Sequence, residues 1–506
     1  MRYWYCTMCF TLLSILSCAN PWAPDEPKAT AGSLSYTLDL PEMHPDSLTI
    51  RLTIYESSDA ENGLVLPLVY FDNPLDSVAG PFIKGLTLID ADGSMLDTIS
   101  RRQMVGPVLS TIISIPSDAH YPVTIQYGLD FDALTMRKGS FRMPQIHIDE
   151  NSALLMGSYM FAVPYDSQLP HMWRQNRVIS VNLDLPESET VRGVPSTNLT
   201  CQNVYELLFI QLALGAEFAG SGSGGHQPFE FYQTDQTDGL KYDWAPVIDQ
   251  YENILDSIIP LFGRLSEEPY NVFFHPISGG LEGTYSFFIF PPAEAHQSIL
   301  PVVLAHETFH HTIGIRCGEY DDPWWKEGTA EYLGWVTAGI CGYASIATIY
   351  NSLIGTYLTN ETIDDYPPSS ELLRPMIFFQ SLYAIAYGKG GQISMLLDHA
   401  VREATNNTAT LSSVTAQLVH RYDRRAFTRD QMVIHFFETA RVDIRPVLER
   451  YADRANRIPG DVLDTTFRAL ARMRAFGQDT STGFLSQAKK TTVVQGQSPE
   501  LFFLKR

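Results

Sequence analysis

The apolar residues of this chain change period near its middle, and that change limits the folds open to it. Leu48, Ile50, Leu52 and Ile54 alternate with Thr49, Arg51 and Thr53. Val123, Ile125 and Tyr127 repeat the pattern, and so do Ile179, Val181, Leu183 and Leu185. A period of two belongs to half-buried strands. Helical spacing is scarce before Val204-Tyr205-Glu206-Leu207-Leu208. Further on, Ile254, Leu255, Ile258, Ile259 and Phe262 recur at helical intervals, with Gly263 as a stop. Val272-Phe273-Phe274 and Phe287-Phe288-Ile289-Phe290 read as buried strands, and from His306 to about Ala475 the pattern is almost wholly helical. The class predicted is α+β: an antiparallel β-sandwich or saddle first, a mainly helical domain after it. With 506 residues the chain is long enough for two or three domains with their own cores.

Segment borders follow from composition. The apolar run Tyr3 to Leu16 is too short to span a bilayer and, behind Arg2, reads as a secretory signal. Ile15-Leu16-Ser17-Cys18 resembles a bacterial lipobox, which implies a signal over 1–17 and lipidation of Cys18. The expected product is exported and held on the cell envelope, bound to the membrane through this N-terminal anchor. A linker over 18–32 leads into the β domain at 33–218. Gly220-Ser221-Gly222-Ser223-Gly224-Gly225 marks a Gly/Ser-rich linker at 219–239. The helical domain takes 240–475, and 476–506 is a polar tail. Apolar content of 45% and charged content of 18% leave no stretch disordered by composition. The net charge of −22 argues against nucleic acid as a partner. Cys6 and Cys9 would leave with the signal. Cys317 and Cys341 then bracket the segment around Glu327, and a disulfide closing that loop stays open.

One short run carries chemistry. His306, Glu307 and His310 form H-E-x-x-H, and a helix places its two histidines about 40° apart on one face. Two imidazoles so placed can share one zinc ion, with the glutamate beside it as a base for a bound water. Ser298 is the expected N-cap and Pro301 fits the first turn. Val302, His306, Phe309 and Ile313 form a narrow apolar stripe. A catalytic zinc needs a third ligand and an open position. Glu327 is the first carboxylate on the next helix-like segment, while Glu319, Asp321 and Asp322 lie nearer in a turn-like stretch before Pro323. Glu331 follows Glu327 by one turn. It suits a carboxylate that holds a ligand imidazole in one tautomer, and equally an exposed helix charge.

The ordered set of segments resembles known peptidases. His306-Glu307-x-x-His310 followed by Trp324-x-x-Glu327-Gly328-x-x-x-Tyr332 resembles the glutamate-zincins, in which the glutamate of Glu-Gly is the third zinc ligand. Tyr387-Gly388-Lys389-Gly390, continuing to Met395-Leu396-Leu397-Asp398, resembles the Y-x-K-G…L-D segment of the M1 and M61 aminopeptidase families. That resemblance implies that Tyr387 hydrogen-bonds the oxyanion of the tetrahedral intermediate. Gly279-Gly280-Leu281-Glu282-Gly283-Thr284-Tyr285-Ser286 resembles the G-G-L-E-H-x-x-S strand of the M61, or glycyl aminopeptidase-like, family. The M1 counterpart is G-x-M-E-N, whose glutamate holds the free amino terminus of the substrate. Departures are His311-Thr312-Ile313-Gly314 where M61 has Trp-Asn, Gly283 where it has His, and a tail too short for the family's common PDZ domain.

The resemblance implies a thermolysin-like zinc-peptidase domain over 240–475 and a single Zn²⁺ held by His306, His310 and Glu327. Glu307 would be the general base and Tyr387 the oxyanion donor. Glu282, with Gly279 and Gly280, would line the substrate site and pair with the α-ammonium. The expected activity is that of an aminopeptidase acting on peptides with a small first residue, glycine or alanine. Two alternatives stand beside it: an endopeptidase on the same zinc site, and a non-catalytic binding lipoprotein.

Overall fold

In strand Ser47–Ile54, Leu48, Ile50, Leu52 and Ile54 are fully buried while Arg51 is exposed, as the period of two requires. A computed structural model describes residues 30–39, 47–66, 83–105, 108–130, 146–148, 153–165, 177–184, 191–234, 242–275, 280–290, 292–293, 297–317, 323–355, 384–455 and 457–477. The expected signal, Cys18, Gly279 and the polar tail beyond 477 lie outside the described residues, as do Glu319, Asp321 and Asp322.

The chain is mixed α+β. A seven-stranded sheet runs in the order Asn198–Cys201, Arg177–Asp184, Thr30–Asp39, Ser47–Ile54, Val123–Asp130, Ile83–Ile89, Met95–Leu96. It differs from the expected antiparallel sheet: Thr30–Asp39 pairs in parallel with Arg177–Asp184. The intervening chain carries strands of two further sheets and returns in the same direction, a crossover that parallel pairing demands. Those two four-stranded sheets share a single core with the first. Two buried tyrosines tie it together: Tyr36 Oη donates to Ala162 O and Tyr127 Oη to Met160 O, both at 2.7 Å.

A five-stranded sheet separates this core from the helices. Its order is Glu217–Gly224, Gln227–Gln233, Tyr270–Phe274, Ser286–Ile289, Gly280–Glu282. Side chains alternate between its faces. Phe231, Val272, Phe274, Phe287 and Ile289 join the helical core, whereas Tyr232, Phe273, Leu281 and Phe288 join the N-terminal one. Glu282 therefore ends an edge strand at the foot of the helical layer.

In the stretch expected as a Gly/Ser-rich linker over 219–239, residues 219–233 instead belong to a hairpin. Glu217–Gly224 pairs antiparallel with Gln227–Gln233, so the border expected at 218 falls inside a strand. Its glycines are there for contact with the helix Ala245–Phe262. A Cβ on Gly222 would come within 2.6 Å of Glu252 Oε1 and 2.7 Å of Phe229 Cζ, and one on Gly224 would run into the Glu252 carbonyl. The helix buries Val247, Tyr251, Ile254, Leu255, Ile258, Ile259 and Phe262, and ends at Gly263 in the left-handed region, φ 82°.

Gly224→Ala should lower stability by about 1–3 kcal/mol, since the Glu252 carbonyl and Leu255 Cβ leave no room for a methyl group. Urea unfolding measures it, and a wild-type midpoint would mean that the hairpin does not pack this closely.

Candidate metal centre and cleft

The motif helix, Leu300–Thr312, is buried at all of its residues. It is thus a core helix rather than a surface helix with one apolar stripe. The helix Ala245–Phe262 flanks it through Phe262 against Phe309 and a 3.1 Å hydrogen bond between Tyr251 Oη and Thr308 Oγ1. The partner helix, Pro323–Ile340, and the edge strand Gly280–Glu282 pack against it as well. Ile299, not Ser298, occupies the N-cap, and no side chain caps the helix; Pro301 sits in the first turn and needs no donor there.

Three side chains converge between the motif and partner helices. His306 Nε2 and His310 Nε2 are 2.8 Å apart. Glu327 Oε2 is 2.9 Å from His310 Nε2 and 3.7 Å from His306 Nε2. All three residues are buried. Donor atoms about 2.0–2.1 Å from a tetrahedral zinc stand about 3.3 Å from one another, which these separations bracket. Glu327 Oε2, though close to both rings, is out of line for hydrogen bonding and has no hydrogen-bond partner. Two imidazole nitrogens and a carboxylate oxygen aimed at one point are a borderline-soft donor set that suits zinc. The residues fit the ion.

Glu282, Glu307 and His310 also offer atoms within 4.8 Å of one another. That set is richer in oxygen, and its Glu282 is already engaged: Lys326 Nζ donates to Glu282 Oε1 in a buried ion pair. Glu282, expected to face a substrate ammonium, faces instead that of Lys326, the residue just before Glu327. Gly280 lies against the same cleft, where a Cβ would meet Glu307 Oε1.

Glu331 is partly buried and reaches the far side of the first imidazole, Oε2 lying 3.5 Å from His306 Nδ1. Trp335 Nε1 donates to Glu331 Oε1 at 2.9 Å and fixes the carboxylate one turn further along the partner helix. Tyr387, in a π-helical segment Ala384–Lys389, stacks on His306 with ring centroids 5.7 Å apart and 13° between planes. The structure thus brings His306, Glu307, His310, Glu327, Glu331, Glu282 and Tyr387 together.

Charge is unevenly shared here. Burial opposes protonation of His306, but Glu327 and Glu331 outweigh it and hold its pKa up at about 10. Burial raises Glu307 to about 8, with His306 opposing and the carboxylates of Glu282 and Glu327 adding to the rise. Burial also favours protonation of Glu327, yet His310 and Lys326 hold its carboxyl well below the usual range. His311, which stands in the departure from the M61 pattern, is buried against the Tyr270 ring, and burial drops its pKa to about 3.

Other residues of the quoted segments hold helices together. A Cβ on Gly328 would run into the backbone of Gly390, and one on Gly390 would come within 2.5 Å of Trp324 O. The partner helix and the helix Gly390–Ala404 therefore cross backbone to backbone just beside Glu327 and Tyr387. Tyr332 Oη donates to Asp398 Oδ2 at 2.7 Å, and Asp398 also accepts from Arg402 Nε and Leu411 N. Lys389 Nζ donates to Arg454 O at 2.5 Å. Cys317 and Cys341 are not joined by a disulfide. The first contacts Leu418 O and the second Ser257 Oγ and Asn253 O, so no bridge closes the Glu327 loop.

No family model and no curated protein matches the chain. Solved structures do. An aminopeptidase N family protein from Idiomarina loihiensis is similar with a TM-score of 0.60 at 14% identity, over 85% of this chain and 78% of that one. An M1 zinc metallopeptidase mutant from Deinococcus radiodurans, bound to a Tyr-Ser-Ala substrate, gives 0.53 at 13%, over 85% and 95%. Native yeast LTA4 hydrolase gives 0.52 at 13%, over 88% and 72%. At such identities the likeness shows the fold, which is that of the M1 structures.

Tyr332→Phe should cost about 1–3 kcal/mol, because the buried Asp398 loses a donor that nothing replaces. The cost is read from denaturant unfolding, and an unchanged midpoint would remove the tie between the two helices.

Proposed function

We propose that the chain is a zinc-dependent peptidase in which His306, His310 and Glu327 hold one zinc ion. The convergence of their three donor atoms, buried and beside Glu307, carries the reading. Zinc, when bound, acts as a Lewis acid on the scissile carbonyl and lowers the pKa of water towards about 7. Glu307 supplies the proton relay: its Oε2 is buried without a hydrogen-bond partner, where it can take the proton of the attacking water and pass it to the leaving amine. Tyr387, stacked on His306, donates to the oxyanion, which carries full charge only near the transition state. Glu331, braced by Trp335, keeps His306 oriented with Nε2 toward His310 and Glu327.

The likeness to M1 structures and the Gly279–Ser286 resemblance to M61 support action at a free amino end, with a small residue first. One observation favours the second reading, an endopeptidase on the same site: Lys326 already neutralises Glu282. The same proposal takes the first 17 residues as a lipoprotein signal and Cys18 as the anchor, on the bacterial cell envelope. It also takes the β part as one domain, starting with the strand at Thr30 inside the expected 18–32 linker rather than at 33, and starts the peptidase domain, expected at 240, at the hairpin of Glu217.

Zinc analysis and a panel of aminoacyl-anilides and peptides, with and without chelator, test the proposal. The wild type should carry about one zinc per chain and lose activity on chelation. His310→Ala should lose the metal, whereas Glu307→Gln should keep it and lose roughly 10²–10⁴-fold in kcat. A Glu307→Gln variant with near-normal turnover would remove that residue as the proton carrier. Tyr387→Phe should lower kcat about a hundredfold at unchanged zinc content; an unaltered kcat would leave the tyrosine a packing residue.

A further inference from the structure

Lys326 is built into the cleft floor. Its side chain and that of Glu282 are 9% and 5% exposed, and the two are ion-paired. The stem runs through a slot left by Gly314, where a Cβ would lie 2.9 Å from Lys326 Cδ and 3.1 Å from Cγ. Gly314 has φ 124°, a conformation that L side chains rarely adopt, so the slot depends on glycine twice over. Phe209, from the segment before the hairpin, lies under the ammonium with its ring centroid 5.4 Å from Nζ. Glu327 Oε1 lies 3.6 Å from the same nitrogen. Three separate parts of the chain and two carboxylates thus fix this one cation.

Resting on the zinc-peptidase reading, and choosing within it the endopeptidase branch over action at a free amino end, we propose that Lys326 determines specificity: its ammonium is the resident counter-ion of Glu282. The cleft therefore takes peptides whose nitrogen at that position is acylated, blocked amino ends or internal bonds, in preference to a free α-ammonium. A free amino end approaching Glu282 meets a neutral pair instead of an anion. Attraction by the carboxylate is offset by repulsion from a lysine at similar range, and a buried site leaves both unscreened. An amide nitrogen carries no charge and avoids the repulsion. Displacing Lys326 offers no escape, since its charge is also held by Glu327 and its stem by the slot. Withdrawing the ammonium would leave two buried carboxylates without their counter-ion.

The test compares matched peptides with free and N-acetylated amino ends on wild type, Lys326→Met and Lys326→Arg, alongside zinc analysis. Methionine fills the slot without charge; arginine keeps the charge. The wild type should cleave the acetylated peptide about tenfold better or more in kcat/KM. Lys326→Met should move that ratio about tenfold or more toward the free amine while keeping its zinc, and Lys326→Arg should keep the wild-type preference. A smaller wild-type preference, or a ratio that Lys326→Met leaves in place, overturns the proposal. If Lys326→Met does not fold, the wild-type ratio alone decides. If neither peptide is cleaved, the peptidase reading has failed, and calorimetry with alaninamide and N-acetylalaninamide on the zinc-loaded proteins still decides. Alaninamide binding that appears only without the lysine supports the inference; binding as tight to wild type as to Lys326→Met refutes it.

Discussion

Six ionisable side chains buried in one place govern this structure: His306, Glu307, His310, Glu327, Glu282 and Lys326. Burying charge is unfavourable unless every group finds a partner, and here partners come from three elements. The motif helix brings two imidazoles and a carboxylate, the partner helix a carboxylate and an ammonium, and an edge strand the last carboxylate. The motif helix has no wet face because the helix Ala245–Phe262, the partner helix and two strands of the five-stranded sheet cover it.

Close approach of backbones makes the cluster compact. Gly328 against Gly390 lets two helices touch without side chains between them, which brings the π-helical turn of Tyr387 onto His306. The hydrogen bond from Tyr332 to Asp398 locks that crossing. Residues that recur in the quoted motifs therefore divide into two kinds: those that meet at the metal centre, and those that hold the helices at the spacing the centre needs. The hairpin at Gly220–Gly224 uses the same device to seat the helix Ala245–Phe262 behind the motif helix.

Much of this was legible in the chain. The alternation in Leu48–Ile54 predicted a buried-face strand, and the spacing of Ile254, Leu255, Ile258, Ile259 and Phe262 predicted the helix that Gly263 ends. H-E-x-x-H and the following Glu-Gly identified residues that do converge. Other features were misread because local composition does not report its neighbours. Gly/Ser repeats look like a linker unless a helix lies against them, and a serine before a proline looks like a cap unless the preceding turn takes another course. Trp335 and Phe209 carry no motif signal, and their roles arise only from what they touch.

The sequence by itself determined the period of each segment, the two histidines on one helical face and the glutamate between them, because these depend on the regular geometry of a single element. Only the tertiary structure decided which cation Glu282 faces. Residues 282 and 326 are far apart in the chain, and their meeting depends on an edge strand, a helix start and a glycine at 314 being packed together. Spacing within a helix is local and readable; charge pairing across elements is not, and it is the pairing that bears on which amino ends the cleft can accept.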